Sequence, residues 1–174
     1  SPRQISAGVQ YKSTHWLLTA DMTWLQWSQF KAPASVINID LDTGDTNIPL
    51  PPTAEIQDPE FHDIFIARVG FETTVYESED WLLQSRAGYF FEPSPAPDQS
   101  GQTNYADGDK HGTSVGFGLS LNDLKPILEN PLEINWVFQA IWMAPRNYNK
   151  TNPADVVGDY KVSGVILGSS LTVG

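Results

Sequence analysis

The stretch HWLLTADMTWLQW, residues 15–27, alternates between apolar and polar side chains. Its even positions from Trp16 to Trp24 are apolar, whereas Asp21 lies on the opposite face between Thr19 and Thr23. Successive side chains of a β-strand point to opposite faces, so the stretch predicts a strand with one apolar face. The two tryptophans bracket that face, and the carboxylate lies on the other one.

The same period of two recurs along the chain, and helical periodicity is hard to find. It predicts seven strands, at about 4–12, 16–27, 63–76, 81–91, 113–121, 132–144 and 160–173. No domain boundary or internal repeat is evident. The sequence therefore predicts an all-β fold, an antiparallel up-and-down meander that forms a single domain over residues 1–174.

Short and long connections alternate strictly between these strands. The short ones are KSTH, ESED and NDLKPILENP, and the long ones begin at Phe30, Glu92 and Pro145. All long connections then lie at one end of the sheet, which is the pattern of an outer-membrane barrel. Trp16 and Trp24 would be separated by roughly 20 Å along the membrane normal, close to the height of a lipid-facing band. A soluble β-sandwich or lipocalin-like barrel with the tryptophans in its core stays open at this point.

Composition excludes several classes of protein. The 174 residues carry a formal net charge of -11 with only ten Lys and Arg, so binding to nucleic acid is not expected. The absence of cysteine excludes disulfides and thiolate metal sites. No apolar run is long enough for a membrane-spanning helix. The first residues do not resemble a signal peptide, so we expect either a cytosolic protein or one whose targeting segment has been removed.

Several segments resemble, in order, the C-terminal half of the FadL/TodX family. These segments are LTADMTWLQWSQF, FHDIFIARVGFETTV, LLQSRAGYFFEPSPAPD, YADGDKHGTSVGFGLSL and DYKVSGVILGSSLTV. The shared patterns include Arg-Ala-Gly-Tyr running into Ser-Pro-x-Pro and an Asp-x-Asp before a glycine-rich strand. The resemblance implies an outer-membrane channel for long-chain fatty acids and other hydrophobic compounds, located in the bacterial outer membrane after removal of a signal peptide.

The chain departs from this family in extent. Members are 14-stranded barrels with an N-terminal plug, and this chain would supply only about the last seven strands. The end of the chain, SSLTVG, also lacks the terminal aromatic residue of many outer-membrane barrels. Open sheet edges are not tolerated in lipid. We expect one of three solutions: a fragment of a longer barrel, a homo-oligomer, or an open arc whose edges are capped by loops.

Strand direction allows the inward face to be ordered by depth, with the long loops at the top. The upper inward positions are apolar and form the predicted hydrophobic ligand site or, equally well, a small core: Leu25, Trp27, Ile64, Ile66, Phe90, Ile141 and Met143. Lower inward positions such as Gln84 and Glu133 are polar. Burial of an alkyl chain under the loops contributes about 0.8 kcal/mol per methylene. The predicted membrane-facing residues are Trp16, Trp24, Phe117, Trp136 and Trp142.

Two arginines lie at intermediate depth on the predicted inward face. Arg68 and Arg86 could hold a carboxylate headgroup through paired hydrogen bonds. They could instead neutralise Asp21 and Glu72 in a ladder of ion pairs, and we favour this alternative. The acidic motifs DLDTGD at 40–45 and DGDKH at 107–111 lack the spacing of a calcium loop and are interpreted as solvated loops, so no metal site and no cofactor are predicted.

The sequence contains no catalytic constellation: there is no serine elbow of the G-x-S-x-G type at a strand-to-helix turn, since GTSVG at 112–116 opens a predicted strand, and H-E-x-x-H does not occur. We therefore expect a protein that is not an enzyme. The first hypothesis is an outer-membrane protein that binds, and in addition transports, fatty acids or similar compounds. The alternatives are a non-transporting membrane-associated module that binds lipid or contacts other molecules at the surface, and a soluble lipid-binding β-barrel.

Overall fold

A computed structural model describes residues 2–30, 59–100, 103–122, 124, 128, 130–151 and 156–174. The DLDTGD motif at 40–45 lies outside the described residues. The strands are β1 (Arg3–Lys12), β2 (Trp16–Gln26), β3 (Ile64–Glu77), β4 (Trp81–Glu92), β5 (Lys110–Leu121), β6 (Leu132–Tyr148) and β7 (Tyr160–Val173).

The seven strands form one antiparallel sheet in the order of the chain, from β1 to β7. Each strand pairs with its neighbours in sequence, and within the described residues β1 and β7 each pair along one side only. The sheet is thus an unclosed, partial barrel, which confirms the predicted meander. Among those same residues, no helix has the length and hydrophobicity needed to cross a bilayer.

Several strand ends differ from the prediction; β5, predicted to begin at residue 113, begins at Lys110, and two other ends differ for a clear physical reason. β2 was predicted to include Trp27, but it ends at Gln26, and Trp27–Gln29 form a short 3-10 helix in which the Phe30 N–H donates to the Trp27 carbonyl at 2.8 Å. β6 was predicted to end near residue 144, but it continues to Tyr148. A bulge between Met143 and Arg146 accommodates Pro145, which lacks the N–H that a regular ladder needs.

The register places large apolar side chains on one face, which we call the outer face. Trp24 pairs with Ile5 and Phe65, and Phe117 pairs with Trp136. These side chains do not pack into a core, since Phe117 is 50% and Trp136 is 49% exposed. The alternation first found in residues 15–27 therefore extends across the whole sheet.

The opposite, inner face carries a small closed core at the end with the long connections, which we call the loop end. Ile64 and Ile66 are 2% and 4% exposed, and Tyr148 and Ala96 are 1% exposed. Ala96 belongs to the connection between β4 and β5, whose described residues are 93–100 and 103–109, and this described part packs against the loop end of the sheet. Ser94 and Gln99 of this connection are also buried, so it contributes to the closed core at the loop end.

Candidate functional site

A cavity of about 320 Å³ lies at the loop end, and we call it the loop-end cavity. Its walls come from the end of β2, the segment before β3, the end of β4, the β4–β5 connection and the start of β5. It is lined by Trp27, Phe61, Glu92, Pro95, Ala96, Tyr105, Ala106, Asp107 and Lys110. The volume lies at the lower end of the range for small-molecule sites.

Aromatic side chains form one wall of this cavity. Phe61 is central, because its ring lies 5.8 Å from Trp27 and 4.8 Å from Tyr105, both edge to face, and stacks on Phe30 at 6.0 Å. Such aromatic pairs stabilise each other by about 0.5–1.5 kcal/mol beyond the burial of their area. The wall is therefore a packed, preformed apolar surface.

The segment that leads from Phe61 into β3 is fixed by a hydrogen bond to the end of β2. The Ser28 N–H donates to Asp63 Oδ1 at 2.9 Å. This backbone hydrogen bond stabilises the charged carboxylate and lowers the pKa of Asp63 below its usual value. The His62 N–H donates to the Pro95 carbonyl at 3.0 Å and joins the same segment to the β4–β5 connection.

The β4–β5 connection is held by two side chains of β6. Arg146 donates to the Ala96 carbonyl at 2.9 Å, to Asp98 Oδ1 at 3.1 Å and to Ser94 Oγ at 3.3 Å. The Tyr148 hydroxyl donates to the Asp107 carbonyl at 2.6 Å, and the Arg146 guanidinium lies 4.7 Å from the Tyr148 ring centroid. These contacts fix Ala96 and Asp107 as cavity wall.

Neither Arg146 nor Tyr148 was predicted as part of the site. Their role depends on how the β4–β5 connection folds back on the sheet. The sequence offers only a weak signal for this: an arginine directly after the strand proline Pro145 and a tyrosine two residues further on.

Charged side chains form the polar part of the cavity wall. Lys110 Nζ lies 2.7 Å from Asp107 Oδ1 and 3.4 Å from Glu92 Oε1. Ser94 donates through its hydroxyl to Asp107 at 2.9 Å and through its backbone N–H to Asp109 at 2.9 Å. The aspartates of the DGDKH motif thus hold the loop. Among the described residues, no group of three or more histidine and acidic side chains could hold a metal ion.

The seven predicted ligand residues lie in three places: the loop-end cavity, the core at the loop end and the rest of the inner face. Trp27 lines the loop-end cavity, and Ile64 and Ile66 are buried in the core. Leu25 pairs with Ile64, and Met143 pairs with Lys110. The structure therefore does not bring all seven residues into one pocket.

Phe90 and Ile141 lie in one register row across the inner face, on either side of Gly112. The row runs through Phe90, Gly112, Ile141 and Ile166 by register. A Cβ on Gly112 would overlap the Phe90 ring, so Phe90 lies against the strand beside it. We call these side chains the inner apolar row. Ile166 was missed, although the alternation in β7 could have identified it.

The two arginines each lie beside a carboxylate, Arg68 in the same register row as Phe90, with which it pairs, and Arg86 further from the loop end on β4. Arg68 Nη1 is 3.0 Å from Asp21 Oδ1, and Arg86 Nε is 2.6 Å from Glu72 Oε2. Arg86 also donates to Asn135 Oδ1 at 2.8 Å. A second cavity of about 320 Å³ lies beside Arg86 and Glu72, lined largely by small residues of β3, β4 and β5. No guanidinium of this pair is left without a carboxylate.

The predicted membrane-facing residues all lie on the outer face. Trp16 and Trp142 are each 38% exposed, and Trp24 is half-buried between its cross-strand neighbours. Trp142 stacks on His111 with ring centroids 5.3 Å apart, and Trp136 Nε1 donates to Ser169 Oγ at 2.8 Å.

Comparison with known proteins places this geometry in context. The family model described as "Outer membrane protein transport protein (OMPP1/FadL/TodX)" matches residues 2–173. A solved structure, that of a Pseudomonas aeruginosa FadL homologue, is similar with a TM-score of 0.61 and 17% sequence identity. The match covers 99% of this chain and 34% of that chain, so this chain spans about a third of its length. At this identity the likeness shows the fold alone. No curated protein matches the chain.

Proposed function

We propose a function from the premise that the chain belongs to the OMPP1/FadL/TodX family of outer-membrane transport proteins, whose model matches residues 2–173. The members of this family are transporters and not enzymes. The proposed function is to bind hydrophobic compounds, long-chain fatty acids among them, and to pass them across the bacterial outer membrane. The family match over nearly the whole chain is the observation that carries the proposal.

The distribution of polarity on the inner face supports binding of a hydrophobic ligand. A ligand that enters between the long connections first meets the aromatic wall around Phe61 and then the inner apolar row with Phe90 and Ile141. Below this row the wall becomes polar around Glu72 and Arg86. Apolar surface near the entrance favours capture, and the polar wall beneath it disfavours permanent retention.

Transport requires that the sheet edges be closed. Unpaired N–H and C=O groups along β1 and β7 would be costly in hydrocarbon, so we propose that further strands complete the barrel. β1 and β7 run in the same direction, and a second copy related by an axis along the membrane normal would meet them in parallel. An antiparallel barrel is instead completed by strands outside this chain.

The headgroup of a fatty acid sets a further condition. Arg68 and Arg86 are the predicted partners of a carboxylate, and each already has one within 3.0 Å. A fatty acid would therefore have to share a guanidinium with Asp21 or Glu72. This arrangement favours the inner face as a passage over a tight carboxylate site at that depth.

A binding and a flux measurement test the proposal. Replacement of Phe90 or Ile141 by Asp should abolish binding of a neutral hydrophobic probe in detergent while the β-sheet circular dichroism stays intact. Ser170→Asp, on the inner face of β7, is the matched control and should bind as the unchanged protein does. Unchanged affinity in the Phe90→Asp and Ile141→Asp variants would remove the inner apolar row from the site. Binding without flux into liposomes, measured on the barrel completed by its further strands, would contradict transport and favour a surface module.

A further inference from the structure

The wall of the loop-end cavity contains more acid than base. Glu92 and Asp107 line it together with one cation, Lys110, whose ammonium group lies between them. The next cation, Arg146, points to Asp98 and to the Ala96 carbonyl and so does not offset this excess. Within the described lining, one negative charge remains uncompensated.

The two carboxylates differ in how strongly they are engaged. Asp107 accepts from Lys110 at 2.7 Å and from the Ser94 hydroxyl at 2.9 Å. Glu92 is 3.4 Å from the same ammonium, a long contact, and its side chain is 30% exposed. Glu92 therefore keeps acceptor capacity for a ligand, because an ionised carboxylate offers two oxygens with several lone pairs.

The aromatic wall stands in the same cavity as these carboxylates. The rings of Trp27, Phe61 and Tyr105 are within one packed cluster, with Phe61 5.8 Å from Trp27 and 4.8 Å from Tyr105. An organic cation gains from the negative faces of such rings, and most when it is partly removed from water. An anion does not gain in this way.

We infer that the loop-end cavity binds hydrophobic ammonium compounds, with the apolar body against the rings and the ammonium beside Glu92, and that it discriminates against carboxylates. The inference rests on the proposed function and narrows it: this cavity selects ammonium compounds among the hydrophobic ligands, whereas a fatty acid would be bound along the inner apolar row and not here. A carboxylate would face Glu92 and Asp107 as like charges, while Lys110 is already engaged by both. The volume of about 320 Å³ fits a ligand of one or two rings, not an extended long chain.

Three ligands that differ only in their polar group test this inference. Phenylbutylamine, phenylbutanol and phenylbutyrate are titrated calorimetrically into the full chain in nonionic detergent at neutral pH. The amine is protonated there, because alkylammonium groups titrate near the pKa of lysine. We expect the amine to bind about tenfold more tightly than the butyrate, with the alcohol between them.

Two variants test whether Glu92 causes the preference for the amine. Glu92→Gln should weaken binding of the amine by about threefold to tenfold and leave the alcohol unchanged. Glu79→Gln, in the exposed short turn between β3 and β4, is the matched control and should change neither. Circular dichroism verifies that the sheet is retained in both.

The outcomes separate the inference from the function on which it rests. Equal or tighter binding of the butyrate overturns the ammonium preference and leaves hydrophobic-ligand binding intact. If the amine still binds more tightly than the butyrate in the Glu92→Gln variant, Glu92 is not the carboxylate beside which the ammonium group binds. If none of the three ligands binds, both the inference and the proposed loop-end binding site fail.

Discussion

The two faces of the sheet differ sharply at residues 116–118 of β5. Phe117 is on the outer face, 50% exposed and paired with Trp136. Its neighbours Gly116 and Gly118 are on the inner face and buried, and a Cβ on Gly118 would lie 2.9 Å from Asn135 Oδ1. A water-soluble sheet buries its large apolar side chains. Here bulk is placed outward and space inward, which is the arrangement expected of a wall between hydrocarbon and a lumen.

The strongest test of this contrast introduces one charge on each face. Phe117→Arg places a guanidinium on the outer face and should lower the free energy of unfolding from vesicles by about 2–4 kcal/mol if the site is near the bilayer midplane. Gln139→Arg, on the inner face of β6, is the matched control and should cost less than about 1 kcal/mol. Urea unfolding from vesicles measures both. Equal costs would mean that the two faces share one environment.

The loop end gives the next largest effect, because there the inner face is closed by protein. Arg146→Met removes three hydrogen bonds to the β4–β5 connection and leaves Asp98 without its partner. We expect a loss of about 1–3 kcal/mol, because buried acceptors lose their donor.

Hydrogen exchange of residues 94–99 measures the Arg146→Met effect. Protection should fall there and stay constant in β2 and β3. Arg3→Met on β1 is the control. Uniform loss of protection across the sheet would contradict a local role of Arg146.

The sequence predicts which face of the sheet a strand residue occupies better than it predicts where each strand ends. In the strands a side chain's face follows from its position alone, so all seven strands were predicted from alternation. The ends were not: Trp27 leaves β2 for a 3-10 helix, and a bulge carries β6 past Pro145. Propensity and period do not determine where a ladder of hydrogen bonds stops.

The candidate site was less predictable than the sheet. Depth along the strands identified an apolar upper wall, but Ile64 and Ile66 turn out to be packed as core and only Trp27 lines the loop-end cavity. The cavity is formed by a connection that folds back and is held by Arg146 and Tyr148. Contacts between a loop and a distant strand carry no periodic signal in a sequence.

The smallest expected effect is the pH dependence of the Asp63 contact. The pKa of Asp63 is lowered in the folded chain, mainly by the hydrogen bond from the Ser28 N–H. The ionised Asp63 therefore stabilises the folded chain at any pH above the pKa that this carboxyl has in the unfolded chain. This stabilisation is lost as the pH falls through the lower pKa that it has in the folded chain. Asp63→Asn should lower the melting temperature at neutral pH and have less effect in acid. An effect that grew in acid would contradict the assigned direction.

The orientation of the two faces is tested most directly by spin labels placed one at a time along β5, at residues 113–119, in the chain reconstituted into vesicles. Accessibility to dissolved oxygen and to a water-soluble nickel chelate is then measured at each position. We predict an alternation with a period of two, with oxygen access highest at 115, 117 and 119 and nickel access highest at 114, 116 and 118. The opposite phase, or nickel access at every position, would contradict a lipid-facing outer surface.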